Sequence, residues 1–444
     1  MGRHRSGPEP AQHLRRASGG ASRWLPEPDE ELGSGVIARP AVRERDARRR
    51  LGGGHGHAHA HGGGADSLVL GVRPRLMLWL ALVPLLLVTV VGIVALWPSA
   101  AALPNRVPYF GEGVSSTHAT ASGVPDPETS LVEARLDDGT GIQVVVPPEA
   151  IAEVGEGDRL RVFDVPEAAG YGSSYIFIDF AREIPLGLLA LAFVAVVVLV
   201  ARWRGLAAIA GLAGAFVAIG GFTLPALLAG QPALPVALVT ASVVMCIVLY
   251  VAHGFSTRTT TALLGTLIGL LLTGGIAWAA TAGTRILGTS SEESMILFQQ
   301  VGLDLSDVFV CGLVLAGMGV LNDVTITQAS AVWELRAAAP GASRRDLFGR
   351  AMRIGRDHIA STVYTIAFAY VGAALPMLLV LWMMEAPFDV LLTTGEVVEE
   401  IVRTLVGSIG LVLAIPVTTG IAALIVPGPS EERAGDAETA AATA

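Results

Sequence analysis

The sequence predicts a mainly α-helical, polytopic membrane protein: a helix bundle of about 8 spans with a small extracytoplasmic β-barrel-like domain after the first span. Three observations predict this class. The chain of 444 residues is 52% apolar and only 16% charged, and its mean hydropathy is +0.58. Several apolar runs approach or exceed about 18 residues, the length that crosses a bilayer as a helix. Between the first two runs lie short alternating segments separated by Gly-containing turns, a pattern typical of strands.

The chain opens with a polar segment, residues 1–75, which is rich in Gly, Pro, Arg and Ser and has no apolar periodicity. This composition predicts a disordered cytoplasmic tail. Within it, histidine alternates with Gly or Ala over residues 52–64. Alternating imidazoles on a flexible segment can chelate Zn, Ni or Cu weakly, and the alternative is a low-complexity repeat without a function. The four candidate metal ligands are His55, His57, His59 and His61.

The apolar runs predict the order of the spans. The first transmembrane helix is residues 76–97, the small β domain is 98–183, the seven-helix transmembrane domain is 184–426, and a second disordered cytoplasmic tail is 427–444. The seven later spans are predicted at 184–201, 206–229, 236–252, 261–282, 308–331, 359–384 and 405–426.

Arginine distribution predicts the orientation, because basic residues accumulate on the cytoplasmic side of a membrane. With the N-terminus inside, nine arginines of the loops between the later spans fall inside, whereas only Arg285 and Arg403 fall outside. We therefore expect a multi-pass protein of the plasma (cytoplasmic) membrane with both termini cytoplasmic.

The β domain carries the acidity of the chain. Residues 98–183 contain 14 acids and 5 arginines, which argues against nucleic acid as a partner. Residues 104–127 are interpreted as a linker. The strands that follow predict a small barrel, OB-like or SH3-like. They are predicted at 131–136, 142–146, 159–165 and 175–180.

A stripe of small and polar residues marks the predicted span at 308–331. At helical spacing its members lie on one face. Small residues on a face let another helix approach closely, and a carboxylate within the bilayer usually pairs, faces the bundle or lines a water path. The set comprises Gly312, Ala316, Gly319, Asp323, Thr327 and Ser330.

The basic segment after this span supplies a partner for the acid. Arg356 lies where the chain re-enters the membrane, at the depth of Asp323, so the sequence predicts a buried Asp323–Arg356 pair. Such a pair fits either a proton- or ion-responsive site or a structural ion pair that holds two helices together. The predicted coupling candidates are Asp323, Asn322, Thr327, Arg356 and Asp357.

Glycines at helical spacing predict close helix packing in several spans. These positions are Gly265, Gly269, Gly312, Gly319, Gly407 and Gly410. Residues 396–404 are predicted to form a short amphipathic surface helix before the last span.

Several ordered segments resemble the YibE/F-like multitransmembrane family. They include GMGVLNDVTITQASAVWELR at 317–336, IGRDHIASTVYTIAFAYVGAALPMLL at 354–379 and EEIVRTLVGSIGLVLAIPVTTGI at 399–421. The resemblance runs from roughly residue 110 to 426. It implies a permease-like membrane protein with a central-helix acid, here Asp323, and a Gly-Arg-Asp step into the next helix, here Gly355, Arg356 and Asp357. It names no substrate.

Two functions follow as hypotheses. The first is a secondary transporter of an unidentified small solute or ion; the alternative is a non-transporting scaffold or export-accessory protein whose outer β domain binds a partner. The chain has no HExxH and no GxSxG motif, so neither an enzyme nor a cofactor is expected. The expected partners are the lipid bilayer, the unidentified solute or ion, and a second copy in a homo-oligomer.

Overall fold

A computed structural model describes residues 72–105, 108–111, 113–165, 173–385 and 387–427, all within one compact unit, His61–Ala444. The predicted tails up to residue 71 and from 428, with the four histidines of the candidate metal site, lie outside these residues. Within the described part, helices dominate and five strands form one sheet. The helices are α1 Val72–Ala95, α2 Glu183–Ala218, α3 Leu224–Leu228, α4 Ala233–His253, α5 Thr257–Thr284, α6 Glu292–Val301, α7 Leu305–Ala338, α8 Arg344–Ala373, α9 Leu375–Met383, α10 Phe388–Thr393 and α11 Gly395–Ile425.

The five strands close into a barrel in the order β1-β2-β3-β5-β4, with β3 and β5 parallel and the other pairs antiparallel. This connectivity is OB-like, one of the two alternatives that the sequence predicts. Its core is small and aliphatic, centred on Val132, Val144 and Leu160. The strands are β1 Ser115–Ala121, β2 Leu131–Leu136, β3 Gly141–Val145, β4 Arg159–Asp164 and β5 Tyr175–Phe180.

The interpretation of residues 104–127 as a linker is wrong, because β1 lies within them. The strand reads SSTHATA and has no large apolar residue. It forms because β2 and β4 pair with it on both sides and satisfy its backbone groups. Only its alanines, Ala119 and Ala121, enter the core. Local sequence carries no signal for a strand held by its neighbours.

Six helices are long and apolar enough to cross a membrane, and a seventh candidate is the pair α8 and α9, which is bent by 62°. One candidate, Glu183–Leu228, is 46 residues long and is interrupted at Arg202, whose φ of 55° is in the left-handed region. A Cβ on Gly205 would lie 2.5 Å from the carbonyl oxygen of Val197, so the chain turns sharply there. The break falls between the predicted spans 184–201 and 206–229. The count of eight spans stays a prediction.

The structure differs from the predicted helices at two places near the C-terminus. The predicted span 359–384 breaks at Ala374, because Pro376 at the start of α9 cannot continue the hydrogen bonding of α8. In contrast, 396–404 is not a separate surface helix: α11 runs without interruption from Gly395 through Pro416 to Ile425.

The bundle is organised around α5, α7 and α11, which contact one another more extensively than any other elements. Hydroxyl groups tie this core together: Thr266 and Thr325 share a hydrogen bond of 2.6 Å, and Thr419 donates to Gln328 Oε1 at 3.0 Å. All four side chains are fully buried. Glycines make the close approach possible, since Gly265 lies against Thr418. Helix α7 is thereby held on one side and left open on the other.

Candidate functional site

The open side of α7 carries the small and polar residues predicted on one face of span 308–331, from Gly312 to Ser330, and we name this set the α7 stripe. Ala316, Gly319 and Asp323 are exposed, whereas the opposite side of the helix, including Val314, Leu321 and the buried Thr325, packs into the bundle. A Cβ added to Gly319 would meet no described atom within 4 Å. The small residues here therefore leave this face of α7 without a close neighbour among the described residues, and we call this open face the groove.

The glycines that were predicted to pack closely fall into two groups: some contact neighbouring helices, and the others face open space. Gly265, Gly269 and Gly410 lie against side chains of neighbouring helices, of Thr418, Leu321 and Thr273 respectively. Gly319 and Gly407 face open space within the described part of the chain, and Gly312 meets only the end of the Arg403 side chain, at 3.8 Å.

Asp323 is the acidic group of the groove. Its side chain is 69% exposed, and Oδ2 lies 3.5 Å from Nε2 of His358. The hydroxyl of Thr327 donates to the backbone carbonyl of Asp323 at 2.7 Å, so it supports the turn and not the carboxylate. The prediction of a buried acid therefore differs from the structure: α7 turns Asp323 away from the bundle core.

The partner of Asp323 also differs from the predicted one. His358, not Arg356, meets the carboxylate, because two residues along a helix rotate a side chain by about 200° and place the two on opposite faces. Arg356 and Asp357 are exposed, and neither takes part in an ion pair with another described residue. Nε2 of His358 is itself buried and makes no hydrogen bond within the described chain, so the two side chains are in contact at 3.5 Å without a closed hydrogen bond.

Asn322 lies beside Asp323 in sequence but on another face of α7. Residues at helical spacing from it, Met318, Ile326 and Ala329, belong to the cluster packed between α4, α5 and α7. Its Oδ1 is buried without a hydrogen-bond partner among the described atoms. The structure therefore does not bring Asn322 to His358.

Helix α8 reaches His358 through a tight crossing at Gly355. A Cβ there would lie 2.7 Å from Ile415 of α11 and 2.9 Å from Nε2 of Gln328 of α7. Only glycine lets α8 approach both helices at this depth. One turn later, His358 arrives beside Asp323, so the Gly-Arg-Asp step positions the histidine that follows it.

A second charged pair closes the other end of the groove. Arg403 donates from Nε to Oε2 of Glu400 at 3.0 Å, and its guanidinium lies 5.2 Å from the ring centre of Phe309. Its Nη1 reaches the position of Gly312, the first member of the α7 stripe. Both residues of this pair line a cavity of about 210 Å³. That cavity shares Ser290, Met377 and Glu396 with another cavity of about 490 Å³. The groove thus runs between the Asp323–His358 contact and the Glu400–Arg403 ion pair.

Sequence reasoning missed Arg403, Glu400 and His358 as members of one groove. For the first two, the signal was present in EEIVR, since Glu400 and Arg403 lie three residues apart on a helix. For His358 no local signal exists, because the rotation of α8 against α7 is set by packing at Gly355.

Residues 189–428 match a family model described as YibE/F-like protein, which is more than half of the chain. The chain belongs to the YibE/F-like family. The family resemblance in the sequence is confirmed, but the match begins within α2 and does not include the barrel. All residues of the groove lie inside the matched region. No curated protein and no solved structure matches the chain.

Water access to the groove gives the first prediction. In a Cys246→Ala/Cys311→Ala background, we expect Gly319→Cys to react with a membrane-impermeant thiol reagent about tenfold faster than Leu272→Cys, because the reactive thiolate forms only where water reaches it. Leu272 is an exposed apolar residue of α5 at a comparable depth, since Gly269, one turn earlier, contacts Leu321. The measurement is the labelling rate in native membranes. Equal, slow rates would mean that lipid or protein covers the groove.

Proposed function

We propose that this YibE/F-like protein is a secondary transporter of a small solute or ion, and that the Asp323–His358 pair couples transport to proton movement. The observation that carries the proposal is the exposed carboxylate of Asp323 in an open groove of a membrane bundle, 3.5 Å from an imidazole nitrogen without a hydrogen bond. The pair replaces the Asp–Arg pair predicted from sequence.

The depth of Asp323 supports a wet groove. If α7 enters the membrane near Val308, the carboxylate lies roughly 23 Å along a hydrocarbon core of about 30 Å. A charged side chain facing lipid costs about 2.5–3.5 kcal/mol even on insertion scales, and more at an isolated helix. Water in the groove removes this cost, and the absence of bulky side chains along the α7 stripe gives the water room.

The chemistry of the pair suits proton exchange. A carboxylate and an imidazole in contact can share or pass a proton, and the charge of the pair changes when either group binds one. At the other end, the Glu400–Arg403 pair can act as a gate, because Arg403 lines the cavity of about 210 Å³ and also reaches Gly312 of the α7 stripe. In this proposal both termini are cytoplasmic and the barrel lies outside the plasma membrane.

The test uses purified full-length protein in proteoliposomes on a solid-supported membrane. A panel of inorganic cations, inorganic anions, amines, organic acids and sugars is applied with and without a pH gradient. We expect at least one class to give a current that depends on the gradient. The growth of cells that lack the protein is compared with that of cells in which only residues 108–180 are removed. If no solute class gives such a current and the two strains show the same growth defect, the scaffold alternative replaces the transporter.

A further inference from the structure

A further cavity, separate from the two beside the groove, lies at the junction of the barrel and α2, outside the family match. Its volume is about 450 Å³, within the usual range of small-molecule sites. It is formed by the segment before β1, the strands β4 and β5, and the first turn of α2. Nothing in the proposed transport cycle uses it.

One wall of the cavity is aromatic. The rings of Phe110 and Phe163 meet edge to face at 5.5 Å, and Tyr109 contacts both, at 5.2 and 6.4 Å. Mutual edge contacts fix the three rings as a corner. Tyr109 is nevertheless 83% exposed, so much of its surface is available to a ligand. Such ring faces attract cations, ammonium groups in particular.

The other wall carries two ion pairs of mixed sign. Arg182 forms a bidentate ion pair with Asp179, with Nη2 at 2.8 Å from Oδ1 and Nη1 at 2.9 Å from Oδ2. Arg161 contacts Glu183, and Oε1 of Glu183 also lies 3.2 Å from Nε2 of His118. All four charged groups line the cavity, about half of each side chain is exposed, and an arginine has five donors, so both signs remain open to a ligand.

The position of the cavity selects the kind of ligand. Glu183 is the first residue of α2, and the apolar window of the candidate span that begins there has a mean hydropathy of 2.9 and no buried residue. Leu186, one turn into the helix, lines the cavity and is exposed. The cavity therefore opens onto the exposed apolar start of a candidate span. The end of a helix that crosses a bilayer lies at the level of the lipid headgroups.

We propose that this cavity binds the headgroup of a zwitterionic phospholipid. The phosphate lies on Arg182, the ammonium group lies between Glu183 and the rings of Tyr109 and Phe163, and the acyl chains follow α2 past Leu186. A headgroup with both signs matches a site with two arginines, two carboxylates and an aromatic corner better than a purely anionic headgroup does. The proposal does not depend on the transport function.

Native mass spectrometry of delipidated, full-length protein in detergent tests the proposal, with dioleoyl phosphatidylethanolamine, phosphatidylcholine and phosphatidylglycerol as probes. We expect the two zwitterionic lipids to be retained in preference to phosphatidylglycerol. Arg182→Gln and Tyr109→Ala should each weaken this retention roughly tenfold, the effect of losing one interaction with a charged group. Both side chains are largely exposed, so neither change should prevent folding.

The matched control is Arg135→Gln, an exposed arginine of β2 that does not line the cavity, and retention should be unchanged. Soluble glycerophosphoethanolamine, which has no acyl chains, should not compete. Retention of phosphatidylglycerol equal to or above that of the zwitterionic lipids would overturn the assignment of ligand. Competition by the soluble compound would overturn the lipid source, and retention unaffected by Arg182→Gln and Tyr109→Ala would overturn the site.

Discussion

Proteoliposomes that contain the Asp323→Asn variant are expected to give no pH-gradient-dependent solute current under conditions where the wild-type protein gives one. Asparagine keeps the size of the side chain but cannot release or bind a proton at neutral pH. The charge at position 323, beside His358, can therefore no longer change during transport. The carboxylate makes no hydrogen bond within the described chain that would hold α7 in place, and the folded protein should therefore be unaffected. The measurement is the peak current at matched protein density, with thermal unfolding as the check on folding.

The matched control is Glu334→Gln. Glu334 lies eleven residues after Asp323, three turns further on nearly the same face of α7, and it is also exposed. This variant removes one carboxylate from the same helix but not from the pair, and its current should match that of the wild type. A full current in Asp323→Asn would exclude the carboxylate from coupling. Equal losses in both variants would show a general effect of negative charge on this face.

His358→Gln separates coupling from positioning. Glutamine keeps a hydrogen-bonding group near Oδ2 of Asp323 but removes the proton-binding imidazole. We expect the pH dependence of the current to shift while a reduced current persists. Arg356→Gln, on the opposite face of α8, should leave the pH dependence unchanged, because Arg356 does not contact the pair. A shift in Arg356→Gln of the same size as in His358→Gln would restore the pairing predicted from sequence.

The type of most elements could be predicted from the sequence, because one-dimensional patterns determine it. The apolar runs at 236–252, 261–282 and 308–331 are helices α4, α5 and α7, and the alternating segments are strands of a barrel. What could not be predicted depends on neighbours. Strand β1 is held by pairing on both sides. Helix α8 continues without a break from Arg344 past Arg356, where the chain was predicted to re-enter the membrane.

The site was only half predictable for the same reason. Helical spacing places Gly319, Asp323 and Thr327 on one face, and the structure keeps them there. Spacing cannot say whether that face is buried, and the stripe that predicted close packing is the open side of α7. Nor can it fix the rotation of α8, which Gly355 determines by fitting against Ile415 and Gln328. The choice between His358 and Arg356 is therefore tertiary information.

A large effect on stability is expected at Gly265, where α5 lies directly against Thr418 of α11. A Cβ there would overlap the side chain of Thr418, whose Oγ1, Cβ and Cγ2 are its three nearest atoms, and both residues are fully buried. The side chain of Thr418 is short and close to the backbone of α11, so it cannot move aside. Gly265→Ala should therefore push the two helices apart. Overpacking of this kind costs about 1–3 kcal/mol. The free energy of unfolding should fall accordingly, measured in detergent by the reaction of the buried thiol of Cys311 with a thiol-reactive dye.

Gly275→Ala is the matched control, since Gly275 belongs to the same helix but faces open space among the described residues. Alanine there should be neutral or stabilise the helix by about 0.5–1 kcal/mol. Thr418→Ala removes Oγ1 and Cγ2, two of the three atoms in the overlap, so it should recover part of the stability lost in Gly265→Ala. Additive losses in the double variant would show that the two residues are not in contact, and an unchanged Gly265→Ala protein would place α11 away from α5. Helices α5 and α11 also hold the packed side of α7 in the bundle. Either result would therefore contradict the packing that turns the α7 stripe to the open side.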